Sequence, residues 1–185
     1  QVMNKPWDII KELESDNSRL KKEAIIKREH QADNVRFFTG VGACLDSFRT
    51  FGVQKVPLAI KDVAIGPRLF DDSEFYNVLQ RLEDRELTGN DMRNTINNLA
   101  GRCEKDAWNY WYRRILIKDL KCGVTHKTIN KHTTMKVPVF ECMLADDSKK
   151  HEKKMTGDVI VEPKLDGVRV ITICDVDKDE VKMFS

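Results

Sequence analysis

Glu162, Lys164, Asp166, Gly167 and Arg169 have the types and spacing for covalent chemistry on a phosphate. A lysine amine, with an ordinary pKa near ~10.4, is neutral in only about one molecule in 2,500 at pH 7. Attack on the α-phosphate of a nucleotide therefore needs burial, a nearby cation or a metal to lower that value. Gly167 frees the backbone for a turn, and Asp166 can anchor the turn or orient the amine. Arg169 is a planar, permanently charged donor suited to a phosphate or a ribose edge. Glu162 stands two residues before Lys164, on the same side of a strand, where a carboxylate can accept from an adenine amine. The same residues also suit an Asp-Gly hairpin whose lysine stands in solvent.

These residues need strands around them. Val159–Glu162 and Val168–Ile173 have β patterning, Asp175–Glu180 reads as a polar turn, and Val181–Phe184 reads as a third strand. Upstream, Val137–Phe140 reads as extended, and residues 145–158 read as a charged loop running from Asp146-Asp147 through Lys149-Lys150 to Lys153-Lys154. The expected organisation is a helical domain over residues 1–135 and an incomplete β-containing domain over residues 136–185.

Within 1–135, Pro6 opens a helix carrying Trp7, Ile9, Ile10 and Leu13 inward and ending near Ser15. Ser18 caps a second, with Leu20, Ala24, Ile25 and Ile26 expected inside. Asn34 opens a third through Phe48 to Gly52; Gly40 and Gly42 cost it roughly 1 kcal/mol each against alanine, which points to close helix packing. Residues 53–68 connect to a helix begun by Asp71 or Asp72. A break at Leu87–Asn90 is followed by a helix capped by Thr88 or Asn90. A long helix is expected from Lys105 to Lys121, with Trp108, Trp111, Tyr112, Ile115 and Leu116 as its core stripe.

Charge is unevenly spread. The whole chain carries +2, but residues 102–131 hold eight Lys and Arg against three Asp and Glu. That suits a polyanion, although a solvated helix face would carry the same charge. On the long helix Arg114, Lys118 and Lys121 share one face. Gly123 is expected to end that helix, and Thr125 to cap a short one through Ile129. The amides of Gly123, Val124 and Thr125 at that helix start then offer donors to a phosphate, ringed by Lys118, Lys121, His126, Lys127 and Lys131. No recognition helix of base-reading composition is present, so contacts to phosphates and to minor-groove shape are expected, without sequence preference.

Five widely spaced cysteines with no C-x-x-C argue for reduced thiols rather than disulfides or zinc. His126 and His132 are not spaced as a metal pair, and no metal ligands are assigned. No run reaches the ~20 apolar residues of a membrane span, and no secretory leader opens the chain. The expected protein is soluble and intracellular, with no membrane partner.

The chain resembles the ATP-dependent DNA ligases, specifically those of the T-even bacteriophage type, over nearly its whole length. Glu162-Pro163-Lys164-Leu165-Asp166-Gly167-Val168-Arg169 matches their motif I, which RNA ligases and capping enzymes share. Arg113-Arg114-Ile115-Leu116-Ile117-Lys118-Asp119-Leu120-Lys121-Cys122-Gly123-Val124 is similar to the R-R-x-x-x-x-D-L-x-C-G segment that closes the ligases' DNA-binding domain, and is the more discriminating of the two. Leu87-Thr88-Gly89-Asn90 is similar to a helix break in the same domain.

The resemblance implies a mostly α fold: an all-helical DNA-binding domain followed by the first strands of an α+β nucleotidyltransferase (adenylation) domain. It implies that Lys164 attacks ATP to give a lysyl-AMP, with Mg²⁺ on the phosphates, and that AMP passes to the 5′-phosphate of nicked duplex DNA before the 3′-hydroxyl displaces it. Glu162 would contact adenine and Arg169 the ribose or a phosphate. Arg114, Lys118, Lys121, Gly123, Val124, Thr125, Lys127 and Lys131 would bind DNA. A monomer is expected, meeting a sliding clamp through parts outside these residues, in the cytoplasm or nucleoid of a host cell if the parent is viral. The next family motif, S-R-x-G, does not follow before Ser185, so these 185 residues alone are expected to bind DNA without sealing it. A non-catalytic DNA-binding module with a vestigial adenylation segment, and an RNA ligase or capping enzyme, stand as alternatives.

Overall fold

A computed structural model describes residues 2–63, 66, 68–139 and 145–184. The chain divides into two compact units, Gln1–Val139 and Phe140–Ser185.

The first unit is helical: α1 (Pro6–Glu14), α2 (Arg19–Gln31), α3 (Val35–Leu45), α4 (Asp72–Glu83), α5 (Gly89–Gly101), α6 (Lys105–Ala107), a π-helical turn (Trp108–Tyr112), α7 (Arg113–Leu116) and α8 (His126–His132). Three starts, those of α2, α3 and α4, are set by side chains that satisfy otherwise orphaned amides. Asn34 Oδ1 accepts from Phe37 N at 3.3 Å, and Asp71 Oδ1 accepts from Glu74 N at 2.8 Å. Thr88 precedes α5 without a side-chain cap bond.

The core centres on the π turn. Trp108 and Trp111 are fully buried, as their helical spacing requires, and Trp111 stacks on Phe37 with ring centroids 5.6 Å apart. Gly40 lies against Trp111 so closely that any Cβ there would overlap the indole, which is the close packing that its position inside α3 suggests. Phe70 and Phe75 meet the Tyr112 ring edge-on at 4.9 and 4.7 Å. The connection before α4 is strapped to this helix: Trp108 Nε1 donates to Pro57 O, Arg113 Nε to Val56 O, and the Asn109 amide both donates to and accepts from Ala59.

Three expectations change. The inward face of α2 is Lys22, Ile26 and Glu29, whereas Leu20 and Ala24 are exposed and Ile25 is partly buried. Buried partners wait for the two charged groups, so the polar residues go in and Leu20 stays out. Glu29 accepts from Asn4, Arg28 and Asn34 at 2.7–3.0 Å. Helix α3 stops at Leu45, seven residues short of Gly52, where Asp46 turns extended and its side chain accepts from Phe48 N. The helix expected to reach Lys121 stops at Leu116, because Lys118 takes a left-handed backbone with φ of 56°.

In the second unit, β1 (Ile171–Asp175) and β2 (Glu180–Phe184) pair antiparallel, Ile171 opposite Phe184 and Asp175 opposite Glu180. Two short 3₁₀ turns, Ser148–Lys150 and Glu152–Lys154, occupy the charged loop. The strand expected over Val159–Glu162 is not formed, since among the described residues the sheet has only β1 and β2 and offers it no partner. Of the extended stretch Val137–Phe140, Phe140 lies outside the described residues, as does Cys142. The fold is thus mostly α, a helical unit followed by the start of a β region.

Candidate functional site

The chain after α7 is a tightly specified loop of the helical unit. Lys118, Lys121 and Gly123 have φ of 56°, 52° and 72°, a conformation that costs a non-glycine residue about 1–2 kcal/mol. Side chains offset that strain. Asp119 Oδ1 accepts from Lys121 N at 2.9 Å, closing the turn between them. Arg114 is buried, and its guanidinium donates to Leu120 O at 2.8 Å and Asn109 O at 3.2 Å while pairing with Glu14 at 3.1 Å. Lys22 rises from α2 beneath Gly123 and donates to Cys122 O and to Leu13 O, both at 2.6 Å. Leu120, Cys122 and Val124 point into the core, which leaves Lys121, Gly123 and Thr125 outside.

This inside-out alternation sorts the residues expected to hold DNA. Lys121 and Gly123 line a cleft of about 500 Å³ with Glu14, Asn17, Arg19, Lys22 and Cys122. Lys127 and Lys131 lie exposed on α8, and no ion pair among the described residues holds them or Lys121. Thr125 precedes α8 but makes no side-chain cap bond, and Val124 is buried. Gly123 does not end the long helix but sits in the loop beyond it. Arg114 and Lys118 are not on the open surface with these residues. Lys118 folds back to donate to Ala43 O at 3.1 Å and Asp46 O at 2.7 Å beside the Phe51 ring, and burial pushes its amine below the ordinary value. Because the helix ends at Leu116, Arg114, Lys118 and Lys121 cannot share a helical face; the first two hold the loop from within.

Sequence reasoning missed Lys22 and Arg19. Lys22 was readable as one member of a stripe with Ile26 and Glu29 at i, i+4 and i+7, provided that charged residues are allowed inside. Arg19 pairs with Glu23 at 2.8 Å, and Glu23 lies 3.3 Å from His132 Nε2 of α8, so α2 and α8 meet through ionisable groups. The Arg19 bond is the leading cause that holds the Glu23 carboxyl below its usual range.

In the second unit Lys164 is largely exposed, with Asp166 Oδ1 3.6 Å from its Nζ. Glu162 and Arg169 are also exposed. Since residues 159–162 form no strand, alternation along a strand does not fix Glu162 and Lys164 on one side. Apolar neighbours stand open too, Ile160 and Val161 at 89% and 88% and Leu165 at 85% exposure. Among the described residues no group of three His, Cys, Asp or Glu is gathered for a metal.

No protein-family model matches the chain, and no curated protein does. Solved structures do. Two, named Pmar-Lig_Pre and Pmar-Lig_PreS3, are each 42% identical to this chain with a TM-score of 0.78, over 98% of this chain and 42% of theirs. Their names mark them as ligases, and the chain is similar to a part of them. It spans less than half of their length.

Proposed function

We propose that the chain is the N-terminal part of an ATP-dependent DNA ligase of the T-even bacteriophage type. The helical unit holds nicked duplex DNA, and Lys164 is the nucleophile toward ATP. The observation that carries this reading is 42% identity to ligase-named structures across 98% of the chain, a span that includes both the 113–124 loop and Lys164.

In this reading Lys164 Nζ attacks the α-phosphorus of ATP, a P–N bond forms, and pyrophosphate leaves. AMP then passes to the 5′-phosphate of the nick and is displaced by the 3′-hydroxyl. Lys164 needs a lower pKa than solvent gives it, so its surroundings in the complete enzyme must supply burial or positive charge. The described residues do not gather a metal site, so Mg²⁺ would arrive on the nucleotide phosphates, and no step is assigned to residues holding it here. On the helical unit, Lys121, Lys127 and Lys131 supply the phosphate contacts, which are sequence-independent and release counterions.

Two measurements test this. The protein carrying this chain, incubated with α-phosphate-labelled ATP, should retain acid-labile, base-resistant label, and Lys164→Ala should retain none; equal labelling of the variant removes Lys164 as nucleophile. Lys121→Glu, Lys127→Glu and Lys131→Glu together should weaken duplex binding and flatten its salt dependence, and an unchanged salt series refutes the interface. A second reading, a DNA-binding module with a vestigial adenylation segment, draws on the exposure of Lys164. It predicts salt-dependent binding with no label at all.

A further inference from the structure

We infer that Lys22 is a positioning residue: a buried latch that fixes the Lys121–Gly123 turn against the end of α1 so that this turn can meet a nucleic-acid phosphate. The inference rests on the DNA-binding reading of the helical unit.

Lys22 sits on the inward face of α2, nine-tenths buried, with no carboxylate partner among the described residues. A buried amine without a counter-ion is costly unless its hydrogens are taken up. Two are. One goes to Leu13 O in the last turn of α1, a carbonyl left orphaned by the helix end and lying at the negative end of its dipole. The other goes to Cys122 O, a hundred residues further along the chain. One side chain therefore joins α1, α2 and the loop. Arg114 adds a second tie between the same parts, through Leu120 O on the loop and Glu14 on α1.

The direction of these bonds matters. With the carbonyls of Leu120 and Cys122 drawn inward, the residues between and after them turn outward, and Lys121 and Gly123 come to line the cleft. Gly123 completes the fit. A Cβ on it would stand 3.2 Å from Lys22 Nζ in a backbone already at φ 72°, so a side chain there would crowd the latch as well as strain the turn. An apolar side chain at position 22 would fill the space but leave both carbonyls unbonded, and the strained turn would lose its hold.

Cys122 reports the latch directly. It is buried, like Cys44 and Cys103, while Cys174 is exposed. In Lys22→Met, alkylation mapped by peptide mass spectrometry should speed up at Cys122 at least tenfold while Cys44 and Cys103 stay protected. A loss of protection shared equally by all three means that Lys22 merely holds the fold, and no change at Cys122 means that it holds nothing; either overturns the proposal. Lys22→Gln, which keeps a donor for one carbonyl, gives the same readout with a smaller increase if Lys22→Met does not fold. For DNA, Lys22→Met should weaken duplex affinity about tenfold and lower the salt slope by about one, as loss of one phosphate contact does. Combined with Lys121→Gln it should add little to that variant's loss; full additivity counts against action through the turn. If the unmutated protein shows no salt-dependent duplex binding, the DNA reading fails, and the thiol pattern still decides the latch.

Discussion

The loop after α7 and the segment around Lys164 both carry lysines in turns, and they are built in opposite ways. The first closes its own hydrogen bonding: three left-handed residues are held by Asp119, Arg114 and Lys22, and its apolar residues are inside. The second leaves Lys164 in solvent and its valines and leucine uncovered. A polar contact surface can be finished by side chains within one unit. A nucleophilic amine cannot, since the burial or charge that activates it must come from parts packed over it.

The contrast is broken most severely by truncating one large residue in each unit. Trp111→Ala should destabilise the helical unit by about 3–5 kcal/mol in denaturant unfolding, because it empties the space between Phe37 and Gly40. Ile160→Ala, at 89% exposure, should change stability by less than about 0.5 kcal/mol. Similar losses from both would show that the second unit is packed as tightly as the first.

A middle effect concerns pH. Burial alone would raise the Glu29 carboxyl, but bonds from Asn34, Asn4 and Arg28 outweigh it and hold the group below the usual carboxylate range. The folded value is therefore lower than the unfolded one. The stability it contributes is full above the unfolded pKa of about 4.3 and is lost as pH falls through the folded value. Glu29→Gln should cost roughly 1–3 kcal/mol at pH 7 and make the acid limb of the stability profile shallower. A parallel downward shift at every pH would mean that the charge of Glu29 plays no part. The smallest effect is one of rate: burial pushes the Cys44 and Cys103 thiols up to about 12, so alkylation at pH 8 should reach Cys174 before either of them.

Helix starts were legible because a cap is a local event: Pro6, Ser18, Asn34 and Asp71 each open a helix where they stand. The tryptophan core was legible from its spacing. The ends were harder. Lys118 has good helix propensity, yet it leaves the helix because Ala43 O, Asp46 O and the Phe51 ring receive its side chain, and those lie more than sixty residues away. The buried partners of Lys22 and Glu29, Cys122 O, Asn4 and Asn34, are brought to them by the fold and leave no mark in the sequence of α2 itself. Val159–Glu162 has the composition of a strand, but composition cannot provide a neighbour. Of the residues expected to hold DNA, Lys121, Gly123, Lys127 and Lys131 stand exposed, whereas the inward turn of Arg114 and Lys118 was not readable from their place on a basic helix.

The π turn at Trp108–Tyr112 sets a phase. A π turn is an α-helix carrying one surplus residue, and each residue of an α-helix advances the side chains by roughly 100°. Winding the same residues as regular α-helix, with the surplus one no longer absorbed in the turn, would rotate Lys105–Ala107 by about that angle against Arg113–Leu116. Both ends are engaged: Lys105 N is fixed to Asp62 Oδ1, and Arg113 Nε to Val56 O. The strap over residues 56–62 thus holds the two segments in a phase that the π turn reconciles with their residue count, and a regular helix of the same length would put the two tryptophans and the strap out of step.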